Sequence, residues 1–482
     1  MARKFKLLNL LNSMNQAEHA RFKKFLKSPF FTTDERCLAL YEYLRRNNPA
    51  WEDEKINKKT LHKKLFPKTA VNEKNVTDLM HRLSGLVETF FVIRETLDSP
   101  KVRQQTLVRS LTKRKLHPYF EKEANRLKKI ISGQKTRDMQ FYLEQYQLEH
   151  DWFHHPETMR TKPNNVHFKE MVTNMEHFFS LAVLRYACEK NNREAVFKEK
   201  AKLLFLEDVL KIAEKHFTPS NPVFELYLYL LRLQQNGFDM TLFDKICSGL
   251  TTKYFPLLNE DEQFAVLLMT INIGIKEIST NGTNLYPHIF DLYKFALEEK
   301  YLIRDGYIVD SIFVSIVVAA CYNKAYKWTE RFIKDNKENL KKEKRKDALF
   351  LSKAYIMFQK GNYDQTLSHI QHVKFHNHSY SVRTKALEVR CIYELSRQGR
   401  SNYDELLVSK LHAFERWLYN RKKKDMSKHK AESYLNFIRL TQKLLSCQNN
   451  SNQATKKKLK ENLDNITPLA LRGWLNKKII EL

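Results

Sequence analysis

Histidine is the residue type whose spacing in this sequence could support chemistry, by holding a metal ion. Two clusters are present, one of His369, His372, His376 and His378 and one of His150, His154 and His155 beside Asp151. Structural zinc sites usually add cysteine, and catalytic zinc sites a positioned carboxylate. No cysteine neighbours either cluster, so we interpret these histidines as polar surface residues and predict no metal site. Asp151 makes the second cluster the better candidate of the two.

Glycine spacing excludes the common phosphate-binding and hydrolase motifs. A phosphate-binding loop needs glycines close together so that backbone amides can turn toward the anion. No two glycines in this chain are closer than Gly274 and Gly282. The Gly-x-Ser-x-Gly turn of hydrolases is excluded for the same reason, and His-Glu-x-x-His is absent. We therefore predict no catalytic residues and no cofactor, and an enzyme is only our third hypothesis.

The composition predicts a nearly all-α protein. Only 10 glycines and 12 prolines occur in 482 residues, while leucine, lysine, glutamate and asparagine are abundant. The longest apolar runs, 264–275 and 311–322, are shorter than the roughly 20 residues that a membrane span needs. The 6 cysteines are scattered along the chain, which is typical of a reducing compartment. We expect no membrane span and a cytoplasmic location.

Residues 347–375 predict two helices joined by a tight turn. Apolar residues at steps of three and four, from Ala348 to Phe358, direct one face of the first helix toward a core. Gly361 can end this helix in a left-handed conformation, because glycine lacks a Cβ. Asn362 is then placed to cap a second helix that begins at Tyr363.

This two-helix unit resembles the tetratricopeptide repeat. The matching positions are Ala354, Gly361, Tyr363, Thr366 and Ile370. Weaker copies of the turn sequence Tyr363-Asp-Gln-Thr-Leu begin at Phe238 and Tyr403, and self-similarity at a period of roughly 20 to 50 residues is typical of solenoids. The resemblance implies a helical-repeat (tetratricopeptide-like) solenoid, similar to bacterial repeat proteins.

The order of these patterns predicts an all-α chain in four parts. They are a helical N-terminal domain at 1–97, a helical connector at 98–163, the tetratricopeptide-like solenoid at 164–447, and a linker with a C-terminal capping helix at 448–482. We assign the linker to residues 448–460, which are polar and rich in lysine. The final helix has apolar residues between Leu469 and Ile480, and we expect that face to pack on the preceding repeat.

The N-terminal part allows an alternative interpretation as a DNA-binding domain. Helices predicted at 60–66 and 73–97 are arranged like a helix-turn-helix, as in regulators that carry helical repeats behind it. A recognition helix presents basic or amide side chains near its start, whereas the start of this one mixes Lys74 and Asn75 with the acidic Glu73 and Asp78. We therefore favour ordinary helix packing here.

The net charge of +29 is unevenly distributed along the chain. Residues 1–150 contain 31 basic and 17 acidic residues, 151–330 contain 20 and 23, and 331–482 contain 33 and 15. Such basic ends attract polyanions and also favour solubility. The candidate polyanion contacts are Lys113, Arg114, Lys115, Arg421, Lys422, Lys423 and Lys424.

Two functional hypotheses follow from the sequence. The first is a non-enzymatic protein-interaction or scaffold module built on helical repeats, with a protein partner. The alternative is a nucleic-acid-binding or transcription-regulator-like protein that uses its basic ends. Solenoid recognition depends on surface residues without a general code, so the sequence leaves the partner, the pathway and the oligomeric state open.

Overall fold

The computed structural model describes residues 5–157, 165–196, 201–373, 378–399, 402–424, 426–447 and 453–482. Within these ranges the chain is helical and forms no strand, apart from one isolated bridge between Arg304 and Tyr307. The prediction of an all-α protein is therefore confirmed. In the same ranges no helix is both long enough and apolar enough to cross a membrane.

The chain divides into two compact units, and each is described here by itself. The first unit comprises residues 1–134 and 147–168, and the second comprises 135–146 and 169–482. One helix, Met139–Phe153, begins in the second unit and ends in the first, and another, Val166–Val196, begins in the first and continues into the second.

Seven helices build the first unit. They are α1 (Lys6–Asn12), α2 (Gln16–Leu26), α3 (Glu35–Asn47), α4 (Lys58–Leu65), α5 (Glu73–Asp98), α6 (Pro100–Lys113) and α7 (His117–Ser132). The apolar stripe of α5 packs against α1, α3 and α4, and Phe22, Tyr41 and Phe90 lie in the core between these helices. At the start of α2, Asn15 and Glu18 each accept a hydrogen bond from the other's backbone N–H. That capping pair fixes where the helix begins.

The remaining described α-helices belong wholly or partly to the second unit. They are α8 (Met139–Phe153), α9 (Val166–Val196), α10 (Leu206–Ile212), α11 (Pro222–Gln235), α12 (Met240–Gly249), α13 (Glu260–Thr280), α14 (Tyr286–Glu298), α15 (Asp310–Tyr322), α16 (Tyr326–Asn336), α17 (Lys342–Gln359), α18 (Tyr363–Gln371), α19 (His378–Arg397), α20 (Asn402–Lys424), α21 (Lys428–Ser446), α22 (Gln453–Asn465) and α23 (Arg472–Glu481). From α17 to α21 each helix packs against the next along the chain, and α15 also packs against α17. Neighbouring helices thereby bury their apolar stripes against each other.

The turn between α17 and α18 has the predicted conformation at Gly361. Its φ is +80°, and a Cβ atom there would meet no heavy atom within 4 Å. Asn362 does not cap α18 as predicted, because its side chain makes no cap hydrogen bond. The Asn362 amide instead points back toward the Met357 sulfur, 3.8 Å away. The backbone conformation of glycine therefore defines this turn without a side-chain cap.

The C-terminal end differs from the prediction in one respect. The prediction of a linker at 448–460 is wrong for residues 453–460, because helix α22 begins at Gln453 and buries Leu459 and Leu463. These two leucines are four residues apart and so lie on one helix face. Residues 448–452 lie outside the described ranges. The predicted packing of the final helix is confirmed, since α23 packs on α21 and α22 and, beyond the prediction, on α13.

Candidate functional site

A cavity of about 450 Å³ lies within the second unit. Its wall is formed by the end of α13, by α14, α15, α17, α18 and α19, and by the start of α23. The lining residues are Ile278, Ser279, Tyr286, Tyr322, Phe358, Gln359, Lys360, Gly361, Tyr363, Arg390, Glu394, Leu471, Arg472, Gly473, Trp474 and Lys477. Cations and aromatic rings dominate this wall, and Glu394 is its one carboxylate.

Arg390 is a buried cation that no carboxylate neutralises. Its side chain lies on α19 and the residue is only 2% exposed. The guanidinium stands over the Phe358 ring, 4.7 Å from the ring centre, and donates a long hydrogen bond of 3.4 Å to the Tyr322 hydroxyl. Its Nε atom has no acceptor, and among the described residues no carboxylate lies within ion-pair distance. Uncompensated buried charge is costly.

The guanidinium of Arg390 stays protonated in this buried position. Burial acts to lower the pKa of this guanidinium, but the phenols of Tyr322 and Tyr355 outweigh it and raise the pKa overall. Tyr286 and Tyr322 stack with ring centres 3.9 Å apart, and burial, followed by Tyr322, raises the pKa of Tyr286 well above its ordinary value. Among the lining residues, Lys360, Arg390, Arg472 and Lys477 outnumber the single carboxylate Glu394, so the wall is basic.

Arg472 is the second buried guanidinium at the cavity, and it lies at the start of α23. It donates hydrogen bonds to the backbone carbonyls of Leu463 and Ile466, which tie α23 to the end of α22. Its Nε has no acceptor, and the residue is 7% exposed. Gly282, with a φ of +80°, allows this close packing, because a Cβ there would lie 3.2 Å from the Arg472 Cδ.

The N-terminus of α23 opens onto the same cavity. Leu471, Arg472, Gly473 and Trp474 are consecutive lining residues, and they form the N-cap and first turn of this helix. Leu471 has a left-handed conformation, and no side chain caps the helix. The first backbone N–H groups of a helix lack intrahelical acceptors and attract anions.

Glu394, the carboxylate of the wall, is already neutralised by α23. The Trp474 indole N–H donates to its Oε1 at 3.0 Å, and the Lys478 ammonium donates to its Oε2 at 2.6 Å. Lys478 also pairs with Glu481 at 2.7 Å. Glu394 therefore holds α23 in place and leaves Arg390, one turn earlier on α19, without a counter-ion.

A second basic surface adjoins the cavity, and we call it the Arg383 face. It consists of Ser315, Tyr322, Arg383, Lys430 and Tyr434, which are half-buried. Arg383 donates to the Ser315 hydroxyl at 2.9 Å. Burial, followed by the charge of Arg383, lowers the pKa of Lys430 to about 8. Among the described residues no carboxylate pairs with Arg383 or Lys430, so the two cations repel each other.

The basic runs predicted from sequence lie elsewhere, and in different units. Lys113, Arg114 and Lys115 are exposed at the end of α6 in the first unit, where Arg114 donates to Ser110. In the second unit, Arg421 stands over the Trp417 ring at 5.7 Å, and Lys422 forms an ion pair with Glu432 at 2.8 Å. Lys423 and Lys424 belong to the last turn of α20, and their side chains lie outside the described set.

The histidine clusters do not converge in the described residues. His155 is buried and faces His117, with 3.2 Å between their Nδ1 atoms, whereas the His150 ring lies against His154. His372 stacks on Phe350, and His376 lies outside the described residues, as does the side chain of His378. In the described part of the chain no group of three potential ligands is placed to hold a metal ion.

Sequence reasoning missed Arg390 and Arg472, the two cations that define the cavity. One local signal was present for Arg390, since it stands between Val389 and Cys391 in a helix that is buried on most sides. A charged residue in such a run is either paired or functional. Arg472 carries no comparable signal, because its burial depends on the return of α23 to α13.

Comparison of the chain with protein-family models, with curated proteins and with solved structures found no match. The functional interpretation therefore depends on the geometry and charge described above.

Proposed function

We propose that this protein is a non-enzymatic, cytoplasmic protein-interaction module built on tetratricopeptide-like helical repeats, and that it binds an acidic segment of a partner protein. Support for the repeat interpretation comes from the left-handed Gly361 between two antiparallel helices and from the pairwise packing of successive helices. Such arrays present side chains along one side of stacked helices for binding.

The Arg383 face is the observation that carries the proposal. Tyrosine and arginine are the residue types that dominate binding energy at protein interfaces, because they combine a large contact area with hydrogen bonding. Here Arg383, Lys430 and Tyr434 come from two helices and are half-buried. Arg383 and Lys430 repel each other, and this repulsion adds to the larger effect of burial in lowering the pKa of Lys430. A carboxylate from a partner would relieve this repulsion.

Affinity capture with matched variants tests the proposal. The full chain and the double variant Arg383→Met with Tyr434→Ala are used as baits, and Arg421→Met removes one charge at a different surface as the control. We expect a protein with an acidic segment to be recovered with the full chain and with Arg421→Met, and at least about tenfold less with the double variant. The interaction is then reconstituted with purified partner.

Two outcomes would contradict this function. One is a set of captured proteins that is the same for all three baits, and the other is a partner whose purified form does not bind. Circular dichroism of each bait checks that the helices are retained. If the double variant keeps its helices and still recovers less partner, the loss of binding is due to the changed Arg383 face and not to unfolding.

Nucleic-acid binding is the second candidate function, and the excess of basic residues at the two ends favours it. The exposed run Lys113 to Lys115 is the most accessible example. If the protein neutralises several phosphates, its affinity for RNA or DNA must fall steeply as salt rises. A salt titration with the full chain and with all three residues changed to Gln measures this slope. Binding that is absent, or insensitive to salt, would remove this candidate.

A further inference from the structure

We propose that the cavity between α19 and the start of α23 is a binding site for a small molecule that carries a phosphomonoester. This inference does not rest on the protein-interaction proposal, because the ligand would occupy the cavity, which shares Tyr322 with the Arg383 face but is not lined by Arg383, Lys430 or Tyr434. Three observations support it: the uncompensated charge, the helix terminus and the size of the space.

The charges of the cavity leave two guanidiniums without a counter-ion. Lys360 pairs with Glu330 at 3.0 Å, Lys477 lies 3.7 Å from Glu481, and Glu394 is held by Lys478 at 2.6 Å. In the described part of the chain Arg390 and Arg472 have no such pair, and both are more than nine-tenths buried. A dianion between them would balance both charges. A phosphomonoester carries nearly two negative charges at neutral pH.

The helix terminus supplies donors that side chains do not. The amides of Arg472, Gly473 and Trp474 belong to the first turn of α23, which no side chain caps. These N–H groups, together with the positive end of the helix dipole, are suited to phosphate oxygens. Gly473 has no side chain that could block an anion, and a Cβ built at this residue would meet no heavy atom within 4 Å. An anion can therefore approach this turn closely.

The size and lining of the cavity favour a small molecule. Its volume of about 450 Å³ falls in the usual range of small-molecule sites, roughly 300 to 1,000 Å³. Tyr286, Phe358 and Trp474 provide apolar surface for the organic part of the ligand, while Arg390 offers a planar fork for oxygen atoms. A monoester with a compact organic group fits this combination of surfaces.

Calorimetric titration of the full chain with ribose 5-phosphate tests the site, with ribose and inorganic phosphate as comparison ligands. We expect ribose 5-phosphate to bind, ribose not to bind, and inorganic phosphate to bind more weakly because it lacks contacts with the aromatic wall. Arg390→Met should weaken binding by about 10- to 100-fold. Arg421→Met removes the same charge outside the cavity and should leave affinity unchanged.

The fold of the variant is checked separately, because a change in affinity means little for an unfolded protein. Removing an uncompensated buried charge should leave the melting temperature of ligand-free Arg390→Met at or above that of the original chain. Arg390→Lys keeps the charge without the planar fork and should bind with intermediate affinity. The proposal is overturned if ribose 5-phosphate does not bind at millimolar concentration, if ribose binds equally well, or if Arg390→Met binds as tightly as the original chain.

Discussion

Arg390 and Glu394 are one helical turn apart on α19, yet only Glu394 has a partner of opposite charge among the described residues. The Lys478 ammonium lies 2.6 Å from Glu394, while the Arg390 guanidinium faces phenols and an aromatic ring. The same helix face therefore holds a structural ion pair and an unneutralised cation. The ion pair fastens α23 across the cavity, and the cation is left for a ligand.

The Glu394–Lys478 pair provides the first prediction. Lys478→Met should lower the free energy of unfolding by about 3 to 5 kcal/mol, because it leaves the buried Glu394 carboxylate without its counter-ion. The side chain of Lys478 is only 8% exposed, whereas that of its neighbour Lys477 is 70% exposed. Lys477→Met is therefore the matched control and should change stability by less than about 0.5 kcal/mol. Urea unfolding followed by circular dichroism measures both; equal effects would show that the ion pair does not hold α23.

Glu262 provides a prediction about pH. Burial, followed by the negative charge of Asp138, raises the pKa of Glu262 to about 7, although the Arg185 guanidinium, 3.3 Å from its Oε1, acts to lower it. The Tyr227 hydroxyl donates to the Glu262 Oε2 at 3.0 Å. The folded chain thus keeps a proton that the unfolded chain releases above about pH 4.5. The protonated Glu262 therefore contributes to the free energy of unfolding fully below about pH 4.5. This contribution, about 3 kcal/mol, is lost as the pH rises to about 7.

The test of this pH dependence uses Glu262→Gln, which cannot ionise. The variant should show a smaller decrease in unfolding free energy between pH 5 and pH 8 than the original chain. At pH 8 it should be the more stable of the two proteins. Glu260→Gln, an exposed change at the start of the same helix, controls for the loss of a charge near α13. Parallel pH profiles for Glu262→Gln and the original chain would refute the assignment.

Gly361 provides the third prediction. Because a Cβ at this position meets nothing within 4 Å, the cost of Gly361→Ala comes from the backbone alone, about 1 to 2 kcal/mol for a left-handed alanine. Gly85 lies within helix α5 and is equally open, so Gly85→Ala should instead stabilise the protein by about 0.5 to 1 kcal/mol. Melting temperatures that change in opposite directions would support the role of backbone conformation at the turn. Changes of the same sign would contradict it.

The sequence predicted those features of the fold that depend on local chemistry. Helix α5 and the turn at Gly361 follow from apolar spacing and from the freedom of glycine, and both can be identified within a single window of sequence. The start of α22 is rich in lysine, and this composition predicted a linker. The segment is a helix because Leu459 and Leu463 lie on one face and are buried. The cavity was not predictable, because Arg390 and Arg472 are 82 residues apart and come to line one cavity only in the folded chain. No local pattern records such a contact.

The final prediction concerns α23, which packs on α13, α21 and α22. Truncation after Asn465 should lower stability and promote aggregation, since it removes the buried Leu475 and Ile479 from their cluster and exposes Phe437, which lies against Trp474. It also leaves Glu394 without Lys478 and Trp474. Size-exclusion chromatography and thermal melting measure the effect. A truncated chain that keeps the original melting temperature and does not aggregate would show that α23 does not stabilise the helices on which it packs.

Variants of two neighbouring isoleucines test whether α23 stabilises the protein by packing, without shortening the chain. Ile479 is 3% exposed and Ile480 is 69% exposed, so they differ in burial while sharing type and helix. Ile479→Ala should cost about 2 to 5 kcal/mol, because it removes buried methyl groups and leaves a cavity. Ile480→Ala should change stability by less than about 0.5 kcal/mol. If both variants unfold at the same urea concentration as the original chain, Ile479 contributes no packing energy. Any instability of the truncated protein must then come from other contacts of α23, such as the buried Leu475 or the ion pair at Glu394.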